Sequence, residues 1–345
     1  MIDPFALARE LVAIPSTTDD EARAVDDLAR RFAAWGLAVR RIPVSPGGRD
    51  DLLAAWGTRA PRVLLSTHVD TVPPHVAPRV VGDTLFGRGA CDAKGILAAM
   101  CAAVLDLAAE GIRDVGLLVV VGEERGHAGA IAAARAGIRA ERLILGEPTQ
   151  DRLVVAQKGI WSIELEAAGV AAHSGYPARG RSAIDALLDA LERIRRHAWP
   201  TDPVLGPTTV NIGTISGGEA PNVLAARATA RLLFRAVGPL VDLEGALGPL
   251  LGPDVRVASA AGNPPWRFDA PDGFDTTVIA FNTDGPYLAE LGPAWLVGPG
   301  DIEVAHTADE RITRGELEAG AALYARLCRR ALQRPPGPRS APFAP

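Results

Sequence analysis

At 345 residues, with a net charge of −5, 48% apolar and 22% charged residues, the chain has the composition of an ordinary globular enzyme of about two domains. No apolar run approaches the length that crosses a membrane, and no basic surface suited to phosphate backbones is available, so membrane and nucleic acid are not expected partners. The start, MIDPFALARELVAIPS, is amphipathic and acidic and lacks the sections of a secretory signal, which makes a cytoplasmic location the expectation.

The first part of the chain alternates helix and strand. Residues 4 to 13 and 21 to 35 have helical periodicity, whereas VRRIPV, DLLAAW and RVLLST are strand-like. From Ala93 to Ala109, Leu97, Met100, Val104 and Leu107 fall at helical spacing, and Gly111 closes that helix before the buried-strand run VGLLVVVG. ERLILGEPT continues the α/β pattern.

Around Lys158 the rhythm changes. Strand IWSIELEAAG, a helix over 181–197, strands TTVNIGTIS and ARATARLLFRA, a helix over 239–250 and strand VRVASA follow in the order βαββαβ, the ferredoxin-like pattern. This predicts an inserted domain over 158–262 and a discontinuous α/β domain over 1–157 and 263–333. A final amphipathic helix covers 313–332, and the Pro-rich tail 334–345 is expected to be disordered. Only Lys94 and Lys158 among the 36 basic residues are lysines, and both lie in motif-like segments, CDAKG and QKGI. The cysteines Cys91, Cys101 and Cys328 form no CxxC pair and read as reduced thiols, with Cys91 a packing residue.

Five segments present potential metal ligands: STHVDTVP, GRGACDAKG, VGEERG, LGEPT and GPGDIEVAHTADE. His68 ends an apolar strand, and Asp70 two residues on is placed to accept the other imidazole N–H, a bond that fixes tautomer and orientation. Asp92 precedes the long helix, where its two oxygens can each hold one of two metals, although capping the helix is the more frequent job for an isolated Asp. Glu123 and Glu124 leave a buried strand, and two adjacent carboxylates there need compensating positive charge, unless they open the helix expected from residue 126. Glu147 ends another apolar strand, stopped by Pro148, and His306 follows the Gly-rich turn GPGD. Each alone is more often structural. Their shared placement at strand exits of an α/β fold points to one site.

These motifs resemble those of the di-zinc exopeptidases and deacylases, the family containing acetylornithine deacetylase, succinyl-diaminopimelate desuccinylase, aminoacylase and carboxypeptidase G, over all but the tail. The resemblance implies a zinc-exopeptidase-like catalytic domain with a ferredoxin-like lid through which the chain forms a homodimer. It implies two zinc ions on His68, Asp92, Glu124, Glu147 and His306, with cobalt or manganese as alternatives. Glu123 would be the catalytic base and Asp70 the orienter. AAHSGYPARGRSAIDAL matches the region carrying a substrate-facing histidine, here His173, and NIGTISGGEAPNVLAARATARLLFR makes Asn222 and Arg235 candidate substrate contacts. Arg235 stands in LFR where relatives often read DIR. LGEPT, NTDGPYLAELG and GPGDIEVAHTADERI look most similar to acetylornithine and acetylcitrulline deacetylases. The implied reaction is metal-assisted amide hydrolysis of an N-acyl amino acid in amino-acid biosynthesis, with a dipeptidase, carboxypeptidase or desuccinylase sharing the mechanism as alternatives and a non-catalytic binding protein as the outlying reading. His75, His127 and His197 match no motif role and are expected at surface or packing positions.

Overall fold

A computed structural model describes residues 2–45, 48–57, 60–333 and 341–342. Contacts divide the chain into two compact units, one of Met1–Val155, Phe268–Thr277 and Thr283–Ala341, the other of Ala156–Arg267, Val278–Asn282 and Pro342–Pro345. Most of the Pro-rich tail, 334–340 and 343–345, lies outside the described residues. Among the described residues, no helix is long and apolar enough to cross a membrane.

In the first unit α1 (Pro4–Val12) opens on Asp3, whose carboxylate accepts the N–H groups of Phe5 and Ala6, the cap that unsatisfied first-turn donors require. It is followed by α2 (Ala22–Ala34), β1 (Ala38–Ser45), β2 (Arg49–Ala55) and β3 (Val63–His68). Next come α3 (Lys94–Ala109), β4 (Val115–Val120), α4 (Ala128–Arg135) and β5 (Arg142–Leu145). The sheet runs β1-β2-β4-β3-β5 and ends on the strand Ala294–Leu296. β3 is parallel to both β4 and β5, and β5 is parallel to Ala294–Leu296, whereas β1 and β2 are antiparallel additions. Every residue of β3, β4 and β5 is buried, as continuous apolar runs covered on both faces should be. α3 packs against α1 and the closing helix Arg314–Gln333, and Leu97, Met100, Val104 and Leu107 join the same core as Leu65, Leu117 and Tyr324.

The second unit is βαββαβ: β6 (Gly159–Ala168), α5 (Ala183–Arg196), β7 (Thr209–Gly217), β8 (Arg227–Ala236), α6 (Leu240–Leu251) and β9 (Val255–Asn263). Its sheet is antiparallel throughout, in the order β7-β8-β6-β9. Trp161, Ile163, Leu165, Leu232 and Phe234 bury one face against Leu187, Leu191, Leu243 and Leu247 of the two helices. A ferredoxin-like unit is therefore present, with short additions that periodicity did not reveal, among them the two-residue strand pair Thr201–Asp202 and Gly206–Pro207.

The expected helix boundaries hold to within two residues, the start after the Glu pair included. There α4 begins at Ala128 rather than 126, because Gly126 and His127 take positive φ values of 89° and 56°, a conformation that cannot continue a right-handed helix. Both lysines are buried, with Nζ of Lys94 donating to Ile14 O and Nζ of Lys158 to Pro207 O, each at 2.5 Å.

Candidate metal centre

The register of the parallel strands brings the ligand candidates to one edge of the sheet. His68, the last residue of β3, lies opposite Val120 at the end of β4, and Ser66 lies opposite Leu145 at the end of β5. Glu123 and Glu124 therefore leave the sheet beside His68, and so does Glu147. Gly146, between β5 and Glu147, has no room for a side chain: a Cβ would come within 2.5 Å of Ile96 Cγ2 and of Met100 Cε.

The side chains then form a continuous path. His68 Nε2 lies 3.1 Å from Asp92 Oδ1, Asp92 Oδ2 lies 3.3 Å from His306 Nε2, and His306 Nε2 lies 3.0 Å from Glu124 Oε1. One ligand atom each from His68, Asp92 and Glu147 fall within 4.8 Å of one another, and so do those of Asp92, Glu124 and His306. The two sets share Asp92. That carboxylate does not cap α3, whose start has no side-chain cap, and no acidic residue occupies the first turn of α4. The competing helix-end roles for Asp92 and the Glu pair are thus not taken up.

Asp70 does more than face an imidazole. Its oxygens accept the backbone N–H groups of Glu123 and Glu124 at 3.1 Å each and the Thr18 hydroxyl at 2.8 Å, while His68 Nδ1 lies 3.4 Å from Oδ1 and 2.9 Å from the Asp70 carbonyl oxygen. Burial opposes its ionisation, but the bonds from His68, Thr18 and the Glu123 N–H outweigh burial and leave Asp70 below the usual carboxylate range. Asp92 is likewise held low, its burial outweighed by His306 and His68. Glu123 and Glu147 go the other way: burial, then repulsion from Glu147 and Asp92 respectively, pushes each well up. His306 rises to about 10 through its bonds to Asp92 and Glu124.

Five buried or half-buried carboxylates thus surround two imidazoles. Such a set has more carboxylates than cationic partners, an excess that divalent cations balance. Its oxygen and imidazole donors suit zinc and accommodate cobalt or manganese. The residues fit a metal centre of that kind.

Three contributors escaped sequence reading. Glu310, in the HTADE segment, accepts the N–H groups of Gly89, Cys91 and Asp92 on one oxygen, at 2.9, 3.2 and 3.1 Å, and the Arg88 guanidinium on the other. Asp284, within NTDGPYLAELG, lies 2.8 Å from Nδ1 of His127. His127, expected at the surface or in packing, instead lies 3.7 Å from Glu123 Oε1. The one available signal was its position four residues after Glu123. Cys91 is a buried thiol pushed up by burial, with Sγ donating to Asp301 O at 3.4 Å, as a packing residue should be.

His173, Asn222 and Arg235 lie in the second unit. His173 is exposed, bridges to Val223, and accepts the Gly175 N–H on Nδ1 at 3.0 Å, which leaves Nε2 as the ring nitrogen that can donate. Asn222 is beside it, its carbonyl oxygen accepting the Ser174 N–H at 2.9 Å. Arg235 stands apart in the sheet, on β8 opposite Ile160 and Thr209.

A family model described as a peptidase dimerisation domain matches residues 155–247. Over 334 residues the chain is 37% identical to a peptidase M20 domain-containing protein of Schizosaccharomyces pombe, covering 94% of this chain and 83% of that one. A probable carboxypeptidase of Aspergillus terreus is 37% identical over 375 residues, with 95% and 87% covered. Among solved structures, a tripeptidase from Staphylococcus aureus matches with a TM-score of 0.82 at 23% identity, over 96% of this chain and 98% of that one. An M20 family metallo-carboxypeptidase from Sulfolobus solfataricus matches with a TM-score of 0.74 at 16% identity, over 94% and 98%. The two structures share this chain's fold.

Proposed function

Because the chain belongs to the peptidase M20 family and is a metal-dependent amide hydrolase, we propose that it cleaves the amide bond of an N-acyl amino acid, with N-acetylornithine or N-acetylcitrulline as substrate, in amino-acid biosynthesis. The observation that carries the reading is the pair of ligand sets sharing Asp92, with Glu123 beside them at the end of β4. His68, Asp92 and Glu147 would hold one zinc ion, and Asp92, Glu124 and His306 the other. Bound there, the two ions supply Lewis-acid polarisation and a lowered pKa for attacking water.

The protein's own groups do the rest. Glu123 belongs to neither ligand set, which leaves its carboxylate to accept the proton of the attacking water and deliver it to the departing nitrogen. Asp70, bonded to the N–H groups of both Glu123 and Glu124, holds base and ligand in one rigid turn. His173 offers an Nε2–H donor for the developing oxyanion, since the Gly175 N–H occupies Nδ1. Asn222 and Arg235 are proposed contacts for the substrate carboxylate or the oxyanion. The dimerisation-domain match over β6 to β8 supports a homodimer assembled through the second unit.

The acyl reading is supported by the resemblance of LGEPT, which carries Glu147, and of the NTDGPYLAELG and GPGDIEVAHTADERI segments to acetylornithine and acetylcitrulline deacetylases. A second reading, an exopeptidase acting on small peptides, is favoured by the relatives named carboxypeptidase and tripeptidase. Both substrates present an amide close to a carboxylate. Amine release by zinc-loaded protein across N-acetyl amino acids, N-succinyl-diaminopimelate and dipeptides, with a chelated control, separates them. Turnover of acetylornithine or acetylcitrulline supports the first reading, and turnover confined to peptides supports the second.

A further inference from the structure

Beyond the two ligand sets, Glu123, His127 and Asp284 form a third convergence of titratable side chains. The three are 11%, 12% and 10% exposed. His127 Nδ1 lies 2.8 Å from Asp284 Oδ1 and 3.7 Å from Glu123 Oε1. The ring is stacked on Tyr287, centroids 4.5 Å apart and planes 23° from parallel. Asp284 and Tyr287 arrive from a segment about 160 positions further along the chain, so this contact is tertiary.

His127 also occupies the left-handed region, at φ 56°, just after Gly126. That conformation is unfavourable for a side chain with a Cβ and persists where the surroundings impose it, a pattern concentrated at functional sites. Its position before α4 does not account for it, because the His127 side chain makes no cap bond there. Asp284 already supplies a partner for Nδ1, so the trio is better described as an anchored imidazole than as a third ion site.

We propose that His127, anchored by Asp284 and Tyr287, is a positioning residue for Glu123. A glutamate has three side-chain torsions, and Asp70 fixes only the backbone of Glu123. The imidazole bounds the carboxylate from one side and keeps it directed at the site. The inference rests on the reading of Glu123 as the base. Asp284 acts one step further out, by fixing the ring.

The test uses the zinc-loaded full chain with the substrate found in the panel above, in His127→Ala, His127→Gln, Asp284→Ala and the double variant His127→Ala with Asp284→Ala. Because a base displaced by about 1 Å loses on the order of 100-fold in rate, His127→Ala is expected to lower kcat by about 10- to 100-fold. KM should stay within ~3-fold, since substrate binding is untouched. Bound zinc and melting temperature should match the parent. His127→Gln, whose amide can still donate, should recover part of kcat, and it is the variant to rely on if the alanine form fails to fold. Asp284→Ala should lose nearly as much as His127→Ala, and the double variant little more than either single one, as residues acting through one another do. An unchanged kcat in both His127 variants, fully additive losses, or activity restored by excess zinc would overturn the proposal. Glu123→Gln serves as the separate control: if it remains active, the base assignment itself fails, whatever the His127 variants do.

Discussion

The Glu310 carboxylate accepts the backbone N–H of Asp92 at 3.1 Å across 218 positions of sequence. The same oxygen takes the N–H groups of Gly89 and Cys91, and its partner oxygen takes Arg88. A side chain four residues beyond His306 thereby shapes the loop that carries the carboxylate shared by both ligand sets. Glu310→Gln keeps an acceptor for the three amides but turns an amide N–H₂ toward the guanidinium. Metal affinity should fall about 10- to 100-fold, the usual cost of losing a group that orients a ligand. Competition with a chelator measures it, and unchanged affinity would mean that the Asp92 loop holds its own shape.

Removing the metal should also cost stability. Glu123, Glu124 and Glu147 are pushed up by burial and by neighbouring carboxylates, and cations binding only the folded state add stability in proportion to the logarithm of their saturation. At a metal concentration ~1,000 times Kd that amounts to about 4 kcal/mol. Differential scanning calorimetry with chelator and then with zinc restored should show a lowered Tm and its recovery. Coincident melting curves would argue against a metal centre at these residues.

Asp51 offers a pH signature outside the ligand sets. It is fully buried in β2, accepts the Val121 N–H at 3.1 Å, and its second oxygen has no partner among the described residues. Burial, with help from Asp284, Asp50 and Asp70, pushes it up to about 8. Its folded pKa lies above the unfolded value of about 3.9, so between about pH 4 and 8 the folded state keeps a proton that the unfolded chain has released. Stability from this group therefore falls as pH rises through that window. Asp51→Asn cannot ionise, so its stability relative to the parent should improve steadily from about pH 5 to pH 8 and level off above. Denaturant unfolding across that range would decide it; a constant difference would place the titrating proton elsewhere.

Gly146→Ala tests the packing beneath the site. The added methyl would sit 2.5 Å from Ile96 Cγ2 and Met100 Cε, both in α3, and overfilling a packed core costs about 1–3 kcal/mol. A lower denaturant midpoint is expected, together with weaker metal binding through the adjacent Glu147. A midpoint within error of the parent would show that α3 yields freely at that point.

Much of this was written locally. Apolar runs such as VLLSTH and VGLLVVV specify strands covered on both faces, and the residues that end them face a shared edge once those strands align in parallel. That is why His68, Glu123, Glu124 and Glu147 could be singled out from their neighbours. The βαββαβ order of the second unit was legible for the same reason, each element carrying its own period. The positive φ of His127 was not, because histidine at that position is compatible with a helix and its partners Asp284 and Tyr287 come from about 160 positions further along the chain.

The sequence by itself determined the element order, the polar residues at the strand ends and the family to which they point. The tertiary structure alone decided which of those residues meet: that Asp92 turns from capping α3 to join His68 with His306, that Glu310 grips the Asp92 loop, and that His127 stands between Asp284 and Glu123. The physical reason is the range of the forces. Periodicity and capping act within a few residues, whereas these contacts, apart from that of His127 with Glu123 four positions away, link positions 24 to 218 apart, and hydrogen bonds of that kind exist only after strand pairing has brought the loops together.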